Sequence, residues 1–205
     1  VPVFSWRSTR LFVTDEFAAP PVILRVDDSV VGTLGNFSAS TGKAKSKKTF
    51  NVCAIVAAVL TGGTVLNYSA SLPPEKRRIL YVDTEQSRFH CKRVLCRILR
   101  LAGLPADTHP PLLEFLCLRG YATKDRLKKI EEAIYEIDDL GLVVIDGIRD
   151  LAHDINSPGE STDLITKLMQ WTDERKIHIH TVLHLNKSDD NTRGHLGTEL
   201  NNKAE

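Results

Sequence analysis

The sequence contains no uninterrupted apolar run of the ~18 residues that a membrane-crossing helix needs, and its N-terminus lacks the layout of a secretory signal. The expectation is a cytoplasmic chain with no membrane partner. Net charge is almost absent too: 27 Lys and Arg against 26 Asp and Glu leave +1. Nothing global draws the chain to nucleic acid, so any such attraction has to be local. Cysteine is scarce, and Cys53, Cys91, Cys96 and Cys117 fall at spacings that match no zinc motif. They are expected as reduced core residues rather than ligands or disulfides. There is no internal repeat and no low-complexity tract, and 205 residues suit one α/β domain with a sizeable core.

What is present begins with one short stretch. Gly42-Lys43-Ala44-Lys45-Ser46-Lys47-Lys48-Thr49 follows an apolar run, Thr33 to Ser40, and opens another at Phe50. A phosphate-binding loop has the pattern G-x-x-x-x-G-K-[ST], joins a strand to a helix and turns consecutive backbone N–H groups toward the β- and γ-phosphates. Gly42 and the pair Lys48-Thr49 match that pattern. Lys47 departs from it, because it places a Cβ and a long charged stem where close backbone approach favours glycine. Lys43, Lys45 and Lys47 add positive potential where phosphates would sit. A solvated basic loop is the plain alternative. Context argues against it: Phe50 to Thr61 is long and apolar enough for a buried helix, and Gly62-Gly63 ends it.

Along the chain, residues 1–21 read as an N-terminal arm closed by Pro20-Pro21, and 22–205 as the core. Val22 to Val26 and Ser29 to Thr33 flank Asp27-Asp28 as a hairpin leading through Gly35-Asn36 into the loop strand. Ile79 to Val82 is a strand ending in Asp83-Thr84-Glu85, and Ser87 is placed to cap a helix over Arg88 to Ala102 with Phe89, Val94, Leu95, Ile98, Leu99 and Leu101 inward. Leu112 to Leu118 reads as a strand, Lys124 to Ile137 as an amphipathic helix, and Leu142 to Asp146 as a strand buried on both faces. Residues 146–160 read as a loop, Ser161 to Glu174 as a helix and Ile177 to Leu183 as a strand, with His184 to Glu205 polar. Strands alternating with helices predict an α/β fold with a mostly parallel sheet covered on both sides, and ligands in such sheets bind outside the carboxyl ends of the strands.

Several residues at those ends can carry chemistry. Asp146 ends its strand as a Walker B acid does, placed to hold Mg²⁺ opposite Thr49. Glu85 is the candidate base that orients and deprotonates water, with Asp83 its competitor; either can instead cap the helix that follows. His184 ends the last strand, where a neutral imidazole can register the γ-phosphate, whereas His178 and His180, alternating with Ile, read as structural. Arg193 is a candidate transition-state cation or phosphate contact, and Arg149 a candidate contact to a nucleic-acid backbone.

This set of motifs resembles the RecA-like ATPases and, within them, the RepA-type hexameric helicases. The strings that carry the resemblance are GKAKSKKT (42–49), the Glu of VDTEQS (82–87), LVVIDGIRDL (142–151), and VLHLNK (182–187) followed by RGHLGTEL (193–200). The loop and the last string are similar to those of RepA-like ATPases encoded by mobile elements of gut bacteria. The resemblance spans roughly residues 31 to 205. It implies a RecA-like three-layer αβα fold, ATP bound with Mg²⁺ by Gly42 to Phe50, Glu85 activating water, Asp146 supporting the metal and His184 sensing the γ-phosphate. It also implies single-stranded DNA held by the loops 147–159 and 185–196, with Arg149, Lys187 and Arg193 as contacts. The chain stops inside a polar run, before the region where such proteins carry further strands, so it is expected to be truncated at its C-terminus and to lack an arginine finger that acts across a subunit interface.

The leading expectation is a ring-forming, hexameric ATP-driven motor on single-stranded DNA. The spacing of Lys43 five residues before Lys48 keeps open a partition-type dimeric ATPase, in which the extra lysine reaches the partner's site. A third possibility is a nucleotide-gated binding module with little turnover.

Overall fold

The computed structural model describes residues 5–43, 46–184 and 194–205. In chain order, a 3₁₀ turn at Trp6–Thr9 begins an exposed segment. A hairpin of β1 (Val22–Val26) and β2 (Ser29–Thr33) follows it, then β3 (Phe37–Gly42). Helix α1 (Lys48–Thr61) leads to a second, smaller hairpin, β4 (Thr64–Val65) and β5 (Tyr68–Ala70). Next come β6 (Arg78–Asp83), α2 (Arg88–Leu101), β7 (Leu113–Cys117), α3 (Thr123–Glu136) and β8 (Leu140–Asp146). Helix α4 (Pro158–Arg175), β9 (His178–His184) and α5 (Gly194–Lys203) complete the set.

The five strands β3, β9, β8, β6 and β7 lie in that order and are parallel throughout. Successive side chains of a strand point to opposite faces, and the sheet buries both. Ile79, Tyr81, Leu142 and Val144 face α1 and α2, packing with Val52, Ile55, Val56, Val94 and Ile98. Leu80, Val82, Val143 and Ile145 face the other way, against α3, α4 and α5 through Ile130, Ile134, Leu164, Leu168 and Trp171. The result is the three-layer αβα arrangement of RecA-like P-loop proteins. The two hairpins join into a separate antiparallel sheet, β2-β1-β5-β4, whose Ile23 and Leu24 pack beside α1.

As expected, the hairpin leads through Gly35-Asn36 into the loop strand: Thr33 ends β2, a turn at Gly35 intervenes, and β3 starts at Phe37. Other sequence expectations are corrected. Phe89, in the first turn of α2, is 69% exposed and meets the ring of His90 edge-on at 5.3 Å between centroids. Ser87 stands at the N-cap of α2, but its hydroxyl pairs with His90 Nδ1 at 3.0 Å instead of a backbone N–H. Helix α4 starts at Pro158, a turn earlier than expected, because Ser157 caps it by accepting from Glu160 N. The tail read only as polar contains α5, which buries Leu196 and Leu200.

His178 and His180 are fully interior, and a hydrogen-bond chain accounts for both. His178 Nδ1 sits 2.9 Å from the Thr33 carbonyl, a pure acceptor, so Nδ1 carries the hydrogen. His178 Nε2 then accepts from Ser38 Oγ at 2.7 Å, Ser38 Oγ accepts from His180 Nδ1 at 2.8 Å, and His180 Nε2 accepts from Ser40 Oγ at 2.9 Å. Both imidazoles are satisfied while neutral. Burial pushes both pKa values down, that of His180 to about 3.

Candidate active site

The carboxyl ends of β3, β6 and β8 converge on a cleft of about 640 Å³. Ser46 to Thr49, at the end of the turn that follows β3, line its floor. Gly42 is the last residue of β3, and a Cβ there would come within 2.7 Å of Ser46 Oγ, so a larger residue would push that hydroxyl aside. Lys47 ends the turn as the N-cap of α1 with φ 62° and ψ 24°. That is the left-handed conformation glycine adopts freely, so the lysine keeps the backbone shape of the pattern at a cost in strain. Lys48, buried as the first residue of α1, reaches back over the turn. Its Nζ donates to the carbonyls of Gly42 (2.7 Å) and Lys43 (2.8 Å) and to Ser46 Oγ (3.3 Å). Burial lowers the Lys48 pKa, while the Asp146 and Glu85 carboxylates raise it again.

Across the cleft, Thr49 Oγ1 donates to Asp146 Oδ2 at 3.1 Å, and Tyr81 OH donates to the same oxygen at 2.9 Å. Asp146 is 8% exposed. Burial pushes its pKa up to about 6 against the two donated hydrogen bonds, with Asp83 and Glu85 adding repulsion. A buried, electron-rich carboxylate beside a threonine hydroxyl is a fitting place for a divalent cation that also binds phosphate oxygens, because Mg²⁺ takes few protein ligands when a nucleotide supplies the rest.

Asp83 and Glu85 part company. Asp83 Oδ1 accepts from the backbone N–H of Glu85 (3.0 Å) and Gln86 (2.7 Å), and Oδ2 accepts from Gln86 Nε2 (2.8 Å). Both Asp83 oxygens are thus occupied in holding the turn, which makes it the structural partner of the pair. Glu85 is exposed on the cleft wall. Gly147 passes behind it with φ 103°, and a Cβ there would collide with Thr84 Oγ1 and reach Glu85 Cγ at 3.0 Å.

Of the other expected residues, Ser46 and Phe50 line the cleft and the Lys43 carbonyl binds Lys48. Arg149 is exposed in a 3₁₀ turn (Ile148–Leu151) after β8, paired with Asp150 at 3.5 Å. Ala44, Lys45, Lys187 and Arg193 lie outside the described residues. So does the side chain of His184, whose backbone pairs in register with Gly42. Sequence reasoning missed Tyr81, hidden in an apolar strand, and the α2 face of His90, Arg93 and Arg97 that forms the far wall. A spacing of three and four residues on one helix was the available signal for that face.

Comparison with known proteins adds two findings. A model of the AAA domain family matches residues 8–190. The chain is also similar to the serine–tRNA ligase of Carboxydothermus hydrogenoformans, 29% identical over 126 residues. That stretch is 60% of this chain and 28% of the ligase, so the chain spans under a third of that relative's length. The family match runs over nearly all of the chain and includes the turn, Glu85 and Asp146, and the chain belongs to the AAA domain family of P-loop ATPases.

Proposed function

We propose that this chain is the ATPase core of a nucleic-acid motor, a RepA-like helicase that couples Mg²⁺-dependent ATP hydrolysis to movement on single-stranded DNA. The observation that carries the hydrolytic part is the meeting of Thr49 with Asp146 beside the Lys48 ammonium and the Glu85 carboxylate in one cleft. Lys48 exchanges its bonds to the turn's own carbonyls for β- and γ-phosphate oxygens. Backbone N–H groups at the start of α1 face the same phosphates. Thr49 Oγ1 and Asp146 would hold Mg²⁺, which would supply positive charge against that developing on the γ-phosphate. Glu85 orients a water and takes its proton.

The motor part rests on the resemblance of the motifs to RepA-type helicases and on the exposed Arg149, just past the Walker B strand. In this proposal the loops after β8 and β9 touch single-stranded DNA, with Arg149, Lys187 and Arg193 as contacts, and His184 reports the γ-phosphate to them. A hexameric ring and a mobile-element source come from the same resemblance. The serine–tRNA ligase likeness covers too little of that enzyme to suggest aminoacylation.

Steady ATP hydrolysis stimulated by single-stranded DNA and abolished in Glu85→Gln, with nucleotide binding retained, is the expected result. Nucleotide binding with no turnover in any oligomeric state, in a longer chain as well, sinks the motor and favours a nucleotide-gated module. ATP-dependent dimerisation lost in Lys43→Ala would instead support a partition-type ATPase. ATP affinity unchanged in Lys48→Ala would remove the phosphate loop from all three.

A further inference from the structure

Behind the cleft wall, two thiols share one acceptor. Cys91, in the first turn of α2, and Cys117, the last residue of β7, both donate to the Gln86 carbonyl oxygen, with sulfurs at 3.6 Å and 3.5 Å from it. Converging on one oxygen brings the two thiols side by side. Gln86 sits at the centre of the turn that carries Glu85: its backbone N–H and Nε2 grip both oxygens of Asp83, and its carbonyl is held by the thiols. Cys53 is elsewhere, buried in α1 with its thiol toward the Val94 carbonyl.

We infer that Cys91 and Cys117 are a thiol modification site that a low-molecular-weight disulfide closes into a Cys91–Cys117 bond, releasing the turn from Asp83 to Ser87. The part of this inference that concerns turnover rests on Glu85 acting as the base. The two sulfurs differ in access. Cys117 is half-buried and Cys91 is 4% exposed. Burial first, then the neighbouring Cys117 thiol and the Asp83 carboxylate, push the Cys91 pKa well up, which keeps it protonated at rest. The Cys117 thiolate therefore attacks the external disulfide, forming a mixed disulfide and expelling one thiolate. Cys91 then attacks the Cys117 sulfur, its proton passing to the second departing thiolate. Two protein thiols and one disulfide become one protein disulfide and two small thiols, with both electrons accepted by the reagent. Once joined, neither sulfur has a hydrogen to donate, and the sulfurs must close to about 2.05 Å. The Gln86 carbonyl loses both donors.

The test uses the full chain with oxidised glutathione, an alkylating quench and peptide mass mapping. The expected product links Cys91 to Cys117, leaves Cys53 and Cys96 alkylated and is reversed by dithiothreitol. Cys91→Ser should stop at a glutathione adduct on Cys117, and Cys117→Ser should leave Cys91 unmodified. In the linked form the Glu85 and Gln86 amides should exchange about tenfold faster, the size expected when a buried acceptor loses its donors. Alkylation of both cysteines after the oxidant overturns the site. A cross-link with unchanged exchange overturns the release of the turn. A cross-link with faster exchange and unaltered ATP turnover upholds the site and counts against Glu85 as the base.

Discussion

Thr49 and Asp146 are hydrogen-bonded at 3.1 Å although the strands that deliver them are not neighbours. Thr49 follows β3 and Asp146 ends β8, with β9 lying between the two. The contact is possible because α1 begins above the carboxyl ends and projects its first turn over β9, where Val182 is the residue in register with Asp146.

The raised pKa of Asp146 makes the free protein pH-sensitive. Its native value of about 6, against 3.8 when unperturbed, means that the folded state binds the proton more tightly. The stability this contributes is complete below about pH 4 and lost as pH rises through 6, a difference of roughly 3 kcal/mol. Urea titrations of Asp146→Asn and wild type should therefore diverge between pH 4 and 7, the variant gaining. A pH-independent gap between them would refute the assignment.

Lys47 carries glycine's backbone angles. Lys47→Gly should leave stability within about 0.5 kcal/mol, since relief of left-handed strain is offset by a looser unfolded chain. Lys47→Val should cost about 1–2 kcal/mol more, because a branched Cβ tolerates φ 62° worst. Thermal melts decide, and equal stability of the two variants would mean that the turn is not held in this conformation.

Gly147→Ala adds a methyl group against Thr84 Oγ1 and Glu85, at φ 103°. A loss of at least about 2 kcal/mol is expected from strain and overpacking together. Where the protein still folds, ATP turnover should fall more than nucleotide affinity. Wild-type stability and rate in this variant would show that Gly147 does not confine Glu85.

His178 and His180 should both stay neutral in the folded protein at pH 5.5, each with its hydrogen on Nδ1, as read by nitrogen NMR of labelled histidine. With the His180 pKa lowered to about 3, its stabilising contribution is present above the unfolded value and lost as pH falls. The loss is roughly 1.4 kcal/mol per pH unit below about 6.5. Titration of His180 near pH 6 in the native state would contradict the hydrogen-bond chain.

Much of the site was legible from spacing. Gly42, Lys48 and Thr49 lie in one turn, so a local pattern is enough to place them, and Asp146 follows an apolar run that can only be an interior strand. Asp83 against Glu85 was not decidable, because both stand at a strand end in the sequence. The hydrogen bonds from Gln86 separate them. Helix α5 was missed because Leu196 and Leu200 are too few to outweigh the Asn and Gly around them. Phe89 misled for the opposite reason: it fits the period of α2 but is left 69% exposed.

By itself the sequence determined the alternation of strands and helices and the phosphate turn, since 2-residue and 3.6-residue periods and a local loop pattern are properties of neighbouring residues. Only the tertiary structure decided that β9 sits between β3 and β8, that Tyr81 and Thr49 share one oxygen of Asp146, and that Cys91 and Cys117 meet at the Gln86 carbonyl. Those pairs join residues 26 to 97 positions apart (117 − 91 and 146 − 49), and strand order and side-chain register, which no local pattern encodes, are what bring them together.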